Sequence, residues 1–222
     1  LTKVFTLGYR DSGMMVNDDK DHPDALWHNY ETQPEAVIKR VVEVMREVQP
    51  QVVITFNKYG GYGHPDHIAI QRATTEAFAL AGDLEYLTDG QQPYQPQKLY
   101  YSSIPGLMLR FLLFTMKIRG KDTKRMGRNE DIDFDAIVDN IEPTHTQVDI
   151  VDYIEDWDRA AACHKSQGGT GGTRSWPMWL RRILAGKQGF TRIVPAPERD
   201  SVDETDLFEG VTLDEPVPER AL

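Results

Sequence analysis

The sequence predicts an α/β fold, a Rossmann-like layered arrangement with a mostly parallel sheet, in one domain that spans residues 1–222. The first observation is alternation: short apolar runs of strand length are separated by amphipathic segments of helical period. The second is size, because 222 residues of which 40% are hydrophobic suffice for one sizeable core. The third is that no internal repeat divides the chain, so a single layered domain is the simplest arrangement.

The first predicted strand is Val4 to Leu7, a buried-strand pattern that begins almost at the first residue. A buried strand needs neighbours in its sheet, so we expect strand–helix units that precede it and are absent from this sequence. The polar segment 17–24 that follows predicts a loop.

The first predicted helix begins near Thr32. Thr32 and Glu35 have the spacing of a capping box, and Pro34 suits the first helical turn. Pro50 ends this helix, whose apolar face repeats at helical period: Val37, Ile38, Val41, Val42, Val44, Met45 and Val48. Residues 52–56, VVITF, then form a continuous apolar run that is typical of a central parallel strand.

The rest of the chain continues the alternation. A second helix opens at residues 64–67 and ends near Gly82, and residues 98–102 predict another strand. Residues 104–118 predict an amphipathic helix that packs on the core, with a lid or an interface helix as the alternative. The remaining predictions are helices over 149–164 and 176–184, a closing strand over 191–195, and an extended Pro-rich tail over 196–222.

Charge and composition limit the partners. The net charge is −10, so the chain as a whole repels nucleic acid, and the basic run within residues 117–128 predicts a solvated loop face. No stretch approaches the ~20 apolar residues that span a bilayer. Cys163, the single cysteine, can form no intrachain disulfide, so a reducing compartment such as the cytoplasm is expected. Assembly into a homo-oligomer stays open.

The candidate site is the segment GGYGHPDH at residues 60–67, directly after the strand 52–56. Ligands of open α/β sheets bind beyond the carboxyl ends of the strands, where this segment lies. Pro65 fits the first position of a helix. His64 and His67, three residues apart, can face one point, with Asp66 between them as an orienting acceptor. Two imidazoles and a carboxylate suit a divalent metal such as Zn²⁺, and the alternative is a helix cap with two surface histidines.

Three segments resemble the PIG-L/LmbE-like family of metal-dependent de-N-acetylases, in particular its branch of mycothiol-pathway sugar deacetylases and amidases. They are LGYRDSGM at residues 7–14, GGYGHPDH at residues 60–67 and ACHKSQ at residues 162–167, in the family's order. The resemblance implies an LmbE-like fold. It also implies a zinc-dependent hydrolase that removes an N-acetyl or other N-acyl group from a small-molecule amino-sugar conjugate.

The resemblance further implies a role for each site residue. His67 would be a metal ligand, and His64 would stabilise the oxyanion or protonate the departing amine as an imidazolium. Asp66 would orient His64 and favour its charged form, and Tyr62 would donate its hydroxyl to the oxyanion. Three further side chains would bind substrate: Arg10, Asp11 and His164.

Plainer structural roles stay open for several of these side chains. Tyr62 could cover the glycine turn, and Asp66 could be a charge that answers the helix dipole. Arg10 and Asp11 could pair with each other to hold their loop. His164 could be an ordinary structural residue near a helix end.

Two departures from the family pattern limit the resemblance. The family's earlier signature, Ala-His-Pro-Asp-Asp-Glu, would supply two metal ligands and the general base, and it is absent from this sequence. His22-Pro23-Asp24 is superficially similar, but it lies in a polar loop and predicts no metal site. Residues 57–59 replace a more acidic segment, which leaves the substrate open. The alternative function is a non-catalytic carbohydrate- or metal-binding remnant of the same fold.

Overall fold

The computed structural model describes residues 3–86, 88, 90–104, 106–127, 129–164 and 176–213. Within these residues one sheet is formed by β1 (Val52–Thr55), β2 (Lys98–Ser102), β3 (Thr146–Asp149) and β4 (Lys187–Val194). The helices are α1 (Leu26–Thr32), α2 (Pro34–Val48), α3 (Gly60–Gly63), α4 (Pro65–Ala81), α5 (Gly106–Ile118), α6 (Phe134–Asp139), α7 (Ile154–Cys163) and α8 (Met178–Leu184). Short 3-10 turns occupy Asp18–Asp21 and Val151–Tyr153.

The sheet is mixed, with the strand order β1-β2-β4-β3. β1 and β2 pair in parallel, whereas β4 pairs antiparallel with both β2 and β3. Three of the four strands therefore run in one direction. β4, which lies between β2 and β3, runs in the opposite direction. This arrangement confirms the predicted α/β class with a mostly parallel sheet. The connection from β1 to β2 passes through α4, because parallel neighbours need a crossover.

Helices α2 and α4 pack together over one face of the β1–β2 pair. One stripe of α4 consists of alanines at four-residue spacing, all of them fully buried: Ala69, Ala73, Ala77 and Ala81. Small side chains along a stripe let a neighbouring helix approach closely. Val37 and Val42 of α2 belong to the same core and are fully buried. Leu99 of β2 closes this core from the sheet side. The site therefore stands on a well-packed part of the fold.

The strand predicted for residues 4–7 is wrong. In the described part of the chain, residues 4–9 pair with no strand, and Val4 is 74% exposed. The first ladder contact is a parallel bridge between Arg10 and Ala25. An apolar run becomes a strand only where a neighbour takes up its backbone hydrogen bonds, and the described residues offer none here.

The capping box predicted for the first long helix is wrong as well. Thr32 ends α1, an unpredicted helix, and its hydroxyl donates to the carbonyl oxygen of His28. A threonine hydroxyl bonded to the preceding turn is not available as a cap. Gln33 is the N-cap of α2 without a side-chain bond, and Pro34 opens the helix as predicted.

The described part of the predicted extended tail, residues 196–213, forms no helix and no strand, but it contacts the sheet. Glu204 is buried and forms a parallel bridge with Thr146 of β3. Its carboxylate accepts hydrogen bonds from Lys98, Tyr100 and Thr146, and it forms an ion pair with Arg192. These partners lie far away in sequence, so no local pattern predicts them. Residues 214–222 of the predicted tail lie outside the described residues.

The prediction of a packed amphipathic helix over residues 104–118 is confirmed for one face of α5 only. Leu113 and Met116 are buried, whereas Leu107 and Phe111 are exposed. Among the described residues, no helix is both long and apolar enough to cross a membrane.

Candidate active site

The loop between β1 and α4 carries the candidate site, and buried Asn57 holds it in shape. The backbone carbonyl of Asn57 accepts from the N–H of Gly60 at 2.8 Å, and its side-chain oxygen accepts from the N–H of Gly61 at 2.7 Å. Gly60 has a φ of 69°, and a Cβ there would lie 2.8 Å from Cγ1 of Ile68. Only glycine combines this backbone angle with so close an approach, so the sequence Gly-Gly fixes the entry into α4.

His67 is oriented by its two neighbours. Nδ1 of His67 lies 3.0 Å from the carbonyl oxygen of Gly60. A carbonyl can only accept, so Nδ1 carries the ring proton and Nε2 keeps its lone pair. The ring stacks on Phe56, with 3.9 Å between centroids. Burial lowers the pKa of His67 below its ordinary value, which keeps the imidazole neutral at neutral pH.

His64 has the opposite arrangement. Its Nδ1 accepts the backbone N–H of Asp66 at 3.2 Å, which makes His64 the N-cap of α4. In the neutral ring the proton therefore lies on Nε2, which is 3.9 Å from Oδ1 of Asp11. The His64 and His67 ring centroids are 4.8 Å apart, and the Tyr62 ring packs edge-on against both. A ring with a free lone pair and a ring with an N–H donor thus lie next to each other.

Asp66 ties an upstream loop to the start of α4. Its Oδ2 accepts the backbone N–H of Ser12 at 3.1 Å, and Ser12 is fully buried. The Ser12 hydroxyl in turn accepts the N–H of Trp27 at 3.0 Å. Among the described residues, Oδ1 of Asp66 is buried without a hydrogen-bond partner. These contacts bring Asp11, the neighbour of Ser12, next to His64.

One group of three side chains and one further imidazole come into question for a metal ion. Asp11, His64 and Asp66 offer ligand-type atoms within 4.8 Å of one another, a spacing that could hold a cation. As His64 is held, however, Nε2 could ligate only if the proton moved to Nδ1, which would break the bond from the Asp66 N–H. His67 needs no such change. A metal-bound imidazole usually donates Nδ1–H to a carbonyl or carboxylate and ligates the ion through Nε2, and the His67 Nδ1 already faces a carbonyl. His67 therefore fits the role of one ligand.

Tyr62 places a phenol beside the two imidazoles. Burial raises its pKa above the ordinary value, and the nearby carboxylates of Asp11, Asp131 and Asp66 raise it further. The phenol thus keeps its proton at neutral pH. Asp131 comes from the segment before α6, so the charge of that segment acts on Tyr62.

The other predicted site residues do not join this cluster. The guanidinium of Arg10 pairs with Asp19 at 2.8 Å, so the alternative of an Arg10–Asp11 pair is wrong. His164 is exposed at the C-terminal end of α7 and lines a separate groove with Tyr153 and Trp157. Its part in substrate binding stays a prediction.

Three residues that shape the site were not predicted: Ser12, Phe56 and Asn57. For Asn57 a general signal existed, because an Asn side chain in a turn readily accepts the backbone N–H of a residue that follows it. No spacing rule links Ser12 to a carboxylate 54 positions later. Lys58 pairs with Glu142 at 3.5 Å, and Asn57 supports the loop, so residues expected to bear on substrate identity have structural roles here.

Several known proteins are similar to this chain. Residues 1–78 match the PIG-L family model, described as GlcNAc-PI de-N-acetylase. A 1D-myo-inositol 2-acetamido-2-deoxy-alpha-D-glucopyranoside deacetylase from Nocardioides sp. is 30% identical over 220 residues, covering 91% of this chain and 70% of that protein. The deacetylase of the same name from Thermobifida fusca is 32% identical over 203 residues, covering 90% and 68%. The crystal structure of GalB, the 4-carboxy-2-hydroxymuconate hydratase from Pseudomonas putida, matches with a TM-score of 0.45 and 15% identity, over 81% of this chain and 64% of that one.

Both deacetylases align with this chain over more than two thirds of their own length, at 30% identity or more. The alignments cover nine tenths of this chain, so the likeness extends well beyond the segment 60–67. The chain therefore belongs to the PIG-L family of de-N-acetylases, whose members are hydrolytic enzymes.

Proposed function

We propose that this protein is a zinc-dependent hydrolase that removes the N-acetyl group from an amino-sugar conjugate, of the inositol-linked kind named for its relatives. The observation that carries the proposal is the opposite surroundings of Nδ1 in two adjacent imidazoles: it faces a backbone carbonyl in His67 and a backbone N–H in His64. One offers a lone pair to a cation and the other offers an N–H to a developing negative charge. The proposed compartment is the cytoplasm, since the single Cys163 forms no intrachain disulfide.

In this proposal His67 holds the ion through Nε2. The other ligands and the general base would come from a family signature of the His-Pro-Asp-Asp type. When bound there, such an ion would supply Lewis acidity for the activation of water and of the amide carbonyl. The carbonyl of Gly60 keeps the His67 ring in the ligating tautomer, and the stacked ring of Phe56 fixes its orientation.

His64 and Tyr62 would stabilise the oxyanion that forms when water attacks the amide. Each presents a hydrogen-bond donor, and one well-placed donor contributes about 2–4 kcal/mol to such a transition state. The Asp66 N–H at Nδ1 supports a neutral His64 donor over the expected imidazolium, because a proton on Nδ1 would face another hydrogen. Asp66 would act by its backbone at His64 and by its carboxylate at Ser12.

Substrate binding would involve the loop that carries Arg10 and Asp11. The Asp11 side chain is 79% exposed and lies 3.9 Å from Nε2 of His64, which supports a contact with a sugar hydroxyl beside the reacting amide. Arg10 would share its guanidinium between Asp19 and the sugar. The separate groove of His164 lends no support to a third substrate contact there.

The test compares three histidine variants of the full-length protein for bound zinc and for acetate release. We expect His67→Asn to lose both, because its ligand nitrogen is gone. His64→Asn keeps an N-cap oxygen for the Asp66 N–H, so it should retain zinc while kcat/KM falls about 10²–10³-fold. His22→Asn is the control, because His22 accepts the N–H of Asp24 in the same way, at 3.1 Å, on an exposed loop. It should change neither readout.

Two outcomes would count against the assignment. Unchanged zinc content in His67→Asn would remove His67 from the ligand set. Full turnover in His64→Asn would remove His64 from the oxyanion site.

The alternative is a binding module of the same fold without turnover. A catalytic zinc site has three protein ligands, and the loop before α4 holds one imidazole, His67, in the ligating tautomer. The alternative function rests on this observation. Binding of the conjugate by the full-length protein without any acetate release would decide for it.

A further inference from the structure

Helix α5 presents an apolar stripe to solvent. Leu107, Phe111, Phe114 and Ile118 follow one another at spacings of four and three residues, so they lie on one face of the helix. Their exposed fractions are 87%, 67%, 60% and 69%. Single exposed apolar residues are ordinary on a protein surface, whereas a continuous stripe of four large ones marks an interaction surface.

The other side of α5 is anchored to the fold. Leu113 and Met116 are buried, and Lys117 forms an ion pair with Asp135 of α6. The apolar stripe is therefore not the result of an unpacked helix. It belongs to a helix whose buried face is already satisfied.

Positive charge accompanies the stripe. Residues 106–121 contain Arg110, Lys117, Arg119 and Lys121 and no acidic residue, although the whole chain carries a net charge of −10. Arg119 and Lys121 are exposed, and neither forms an ion pair with any described residue. Arg110 lies three residues after Leu107 and four before Phe114, so it borders the stripe, while Arg119 and Lys121 follow the C-terminal end of the helix, just before Asp122. The stripe therefore has basic residues at its side and at its end.

We propose that α5 binds the surface of a membrane that contains anionic lipid. An amphipathic helix with Leu and Phe on one face and Lys or Arg beside it lies in the plane of such a surface, with the apolar face at the acyl boundary. The 13 residues of α5 are too few to span a bilayer, which agrees with an in-plane position. A second copy of the chain is a poorer occupant, because two α5 helices would bring only like charges together.

The test is co-sedimentation of the protein with vesicles of phosphatidylcholine, with and without an equal part of phosphatidylglycerol. We expect binding to the anionic vesicles and at least about tenfold weaker binding to the neutral ones. The double variant Phe111→Ser/Phe114→Ser should lose at least about tenfold in binding to the anionic vesicles. Arg119→Glu/Lys121→Glu should abolish the preference for anionic lipid.

Leu84→Ser is the matched control, because Leu84 is 81% exposed and lies outside α5. It should bind anionic vesicles as the unmodified protein does. All substituted side chains are exposed, and far-ultraviolet circular dichroism verifies that each variant keeps its fold. The proposal is overturned if the protein ignores anionic vesicles, binds both kinds equally, or loses as much on Leu84→Ser. A dimer in light scattering that Phe111→Ser/Phe114→Ser dissolves would overturn it in favour of a second copy.

Discussion

His22 and His64 begin the same tripeptide, His-Pro-Asp, and both accept the backbone N–H of the Asp two residues later, at 3.1 and 3.2 Å. The tripeptide therefore sets the tautomer in both places. Their surroundings differ, because His64 follows β1 and meets His67, whereas His22 ends a short exposed turn. Among the described residues His22 belongs to no group of three metal-ligating side chains. The local sequence thus determines which ring nitrogen carries the proton, whereas the fold determines whether other site residues lie next to that N–H.

The site residues were predictable to the extent that their contacts are local. Tyr62, His64, Asp66 and His67 lie within six residues, and they meet because a helix starts there. The tautomers were not predictable, since His67 is fixed by a carbonyl whose position depends on the shape of the glycine turn. That shape requires three-dimensional information.

The glycine turn gives the first prediction. Gly63 has a φ of 89°, and a Cβ there would lie 2.9 Å from the Tyr59 hydroxyl, whereas Gly90 has a φ of 82° with open space around it. Both Gly→Ala substitutions cost about 1–2 kcal/mol for the backbone angle. Gly63→Ala should cost more, because Tyr59 must move, and it should also reduce turnover. Urea unfolding and acetate release test this, and equal effects at the two positions would argue against a tightly packed turn.

At the scale of elements, the predictions that held are those with a strong internal period. The strand over 52–56 ends one residue early at Thr55, and the strand over 98–102 has its predicted bounds. α2 and α4 begin at the prolines expected to open them. The strand over 4–7 failed because an apolar run does not say whether a partner strand is present.

The alanine stripe of α4 gives a prediction about this packing. Ala73 is fully buried against α2, so Ala73→Leu should overpack the interface and lower the free energy of unfolding by about 1–3 kcal/mol. Ala79 lies on the exposed side of the same helix, and Ala79→Leu should change stability by less than about 0.5 kcal/mol. Urea denaturation of both variants gives the comparison. Similar losses would mean that α4 does not pack as described.

At the scale of the whole molecule, the chain after β4 returns to the sheet, and the buried carboxylate of Glu204 is one of the groups that hold it there. Burial alone would raise the pKa of Glu204, but hydrogen bonds from Lys98, Thr146 and Tyr100 outweigh it and lower the pKa from 4.5 to about 2. Because the folded pKa is the lower one, the stabilisation is fully present above pH 4.5 and is lost as the pH falls towards 2. The sequence predicted neither this contact nor its pH dependence.

Acid unfolding tests the contact. As the pH falls from 4.5 to about 2, protonation of Glu204 should cost the unmodified protein about 3 kcal/mol of stability. Glu204→Gln should flatten the pH dependence in this range. Glu198→Gln, at an exposed position of the same segment, is the control and should leave the profile unchanged. Urea unfolding at a series of acidic pH values gives the measurement. A profile unaltered by Glu204→Gln would contradict the buried network.

The claim on which the functional account rests is that His64 and His67 hold their protons on different ring nitrogens. Nitrogen-15 NMR of the histidine side chains measures this directly in the metal-free protein, with His64→Asn and His67→Asn to assign the signals. We expect a proton on Nδ1 of His67 and on Nε2 of His64, and on titration of the full-length protein with Zn²⁺ a shift of the His67 Nε2 signal alone. The same tautomer in both rings, or a zinc-induced shift at Nε2 of His64, would contradict the account.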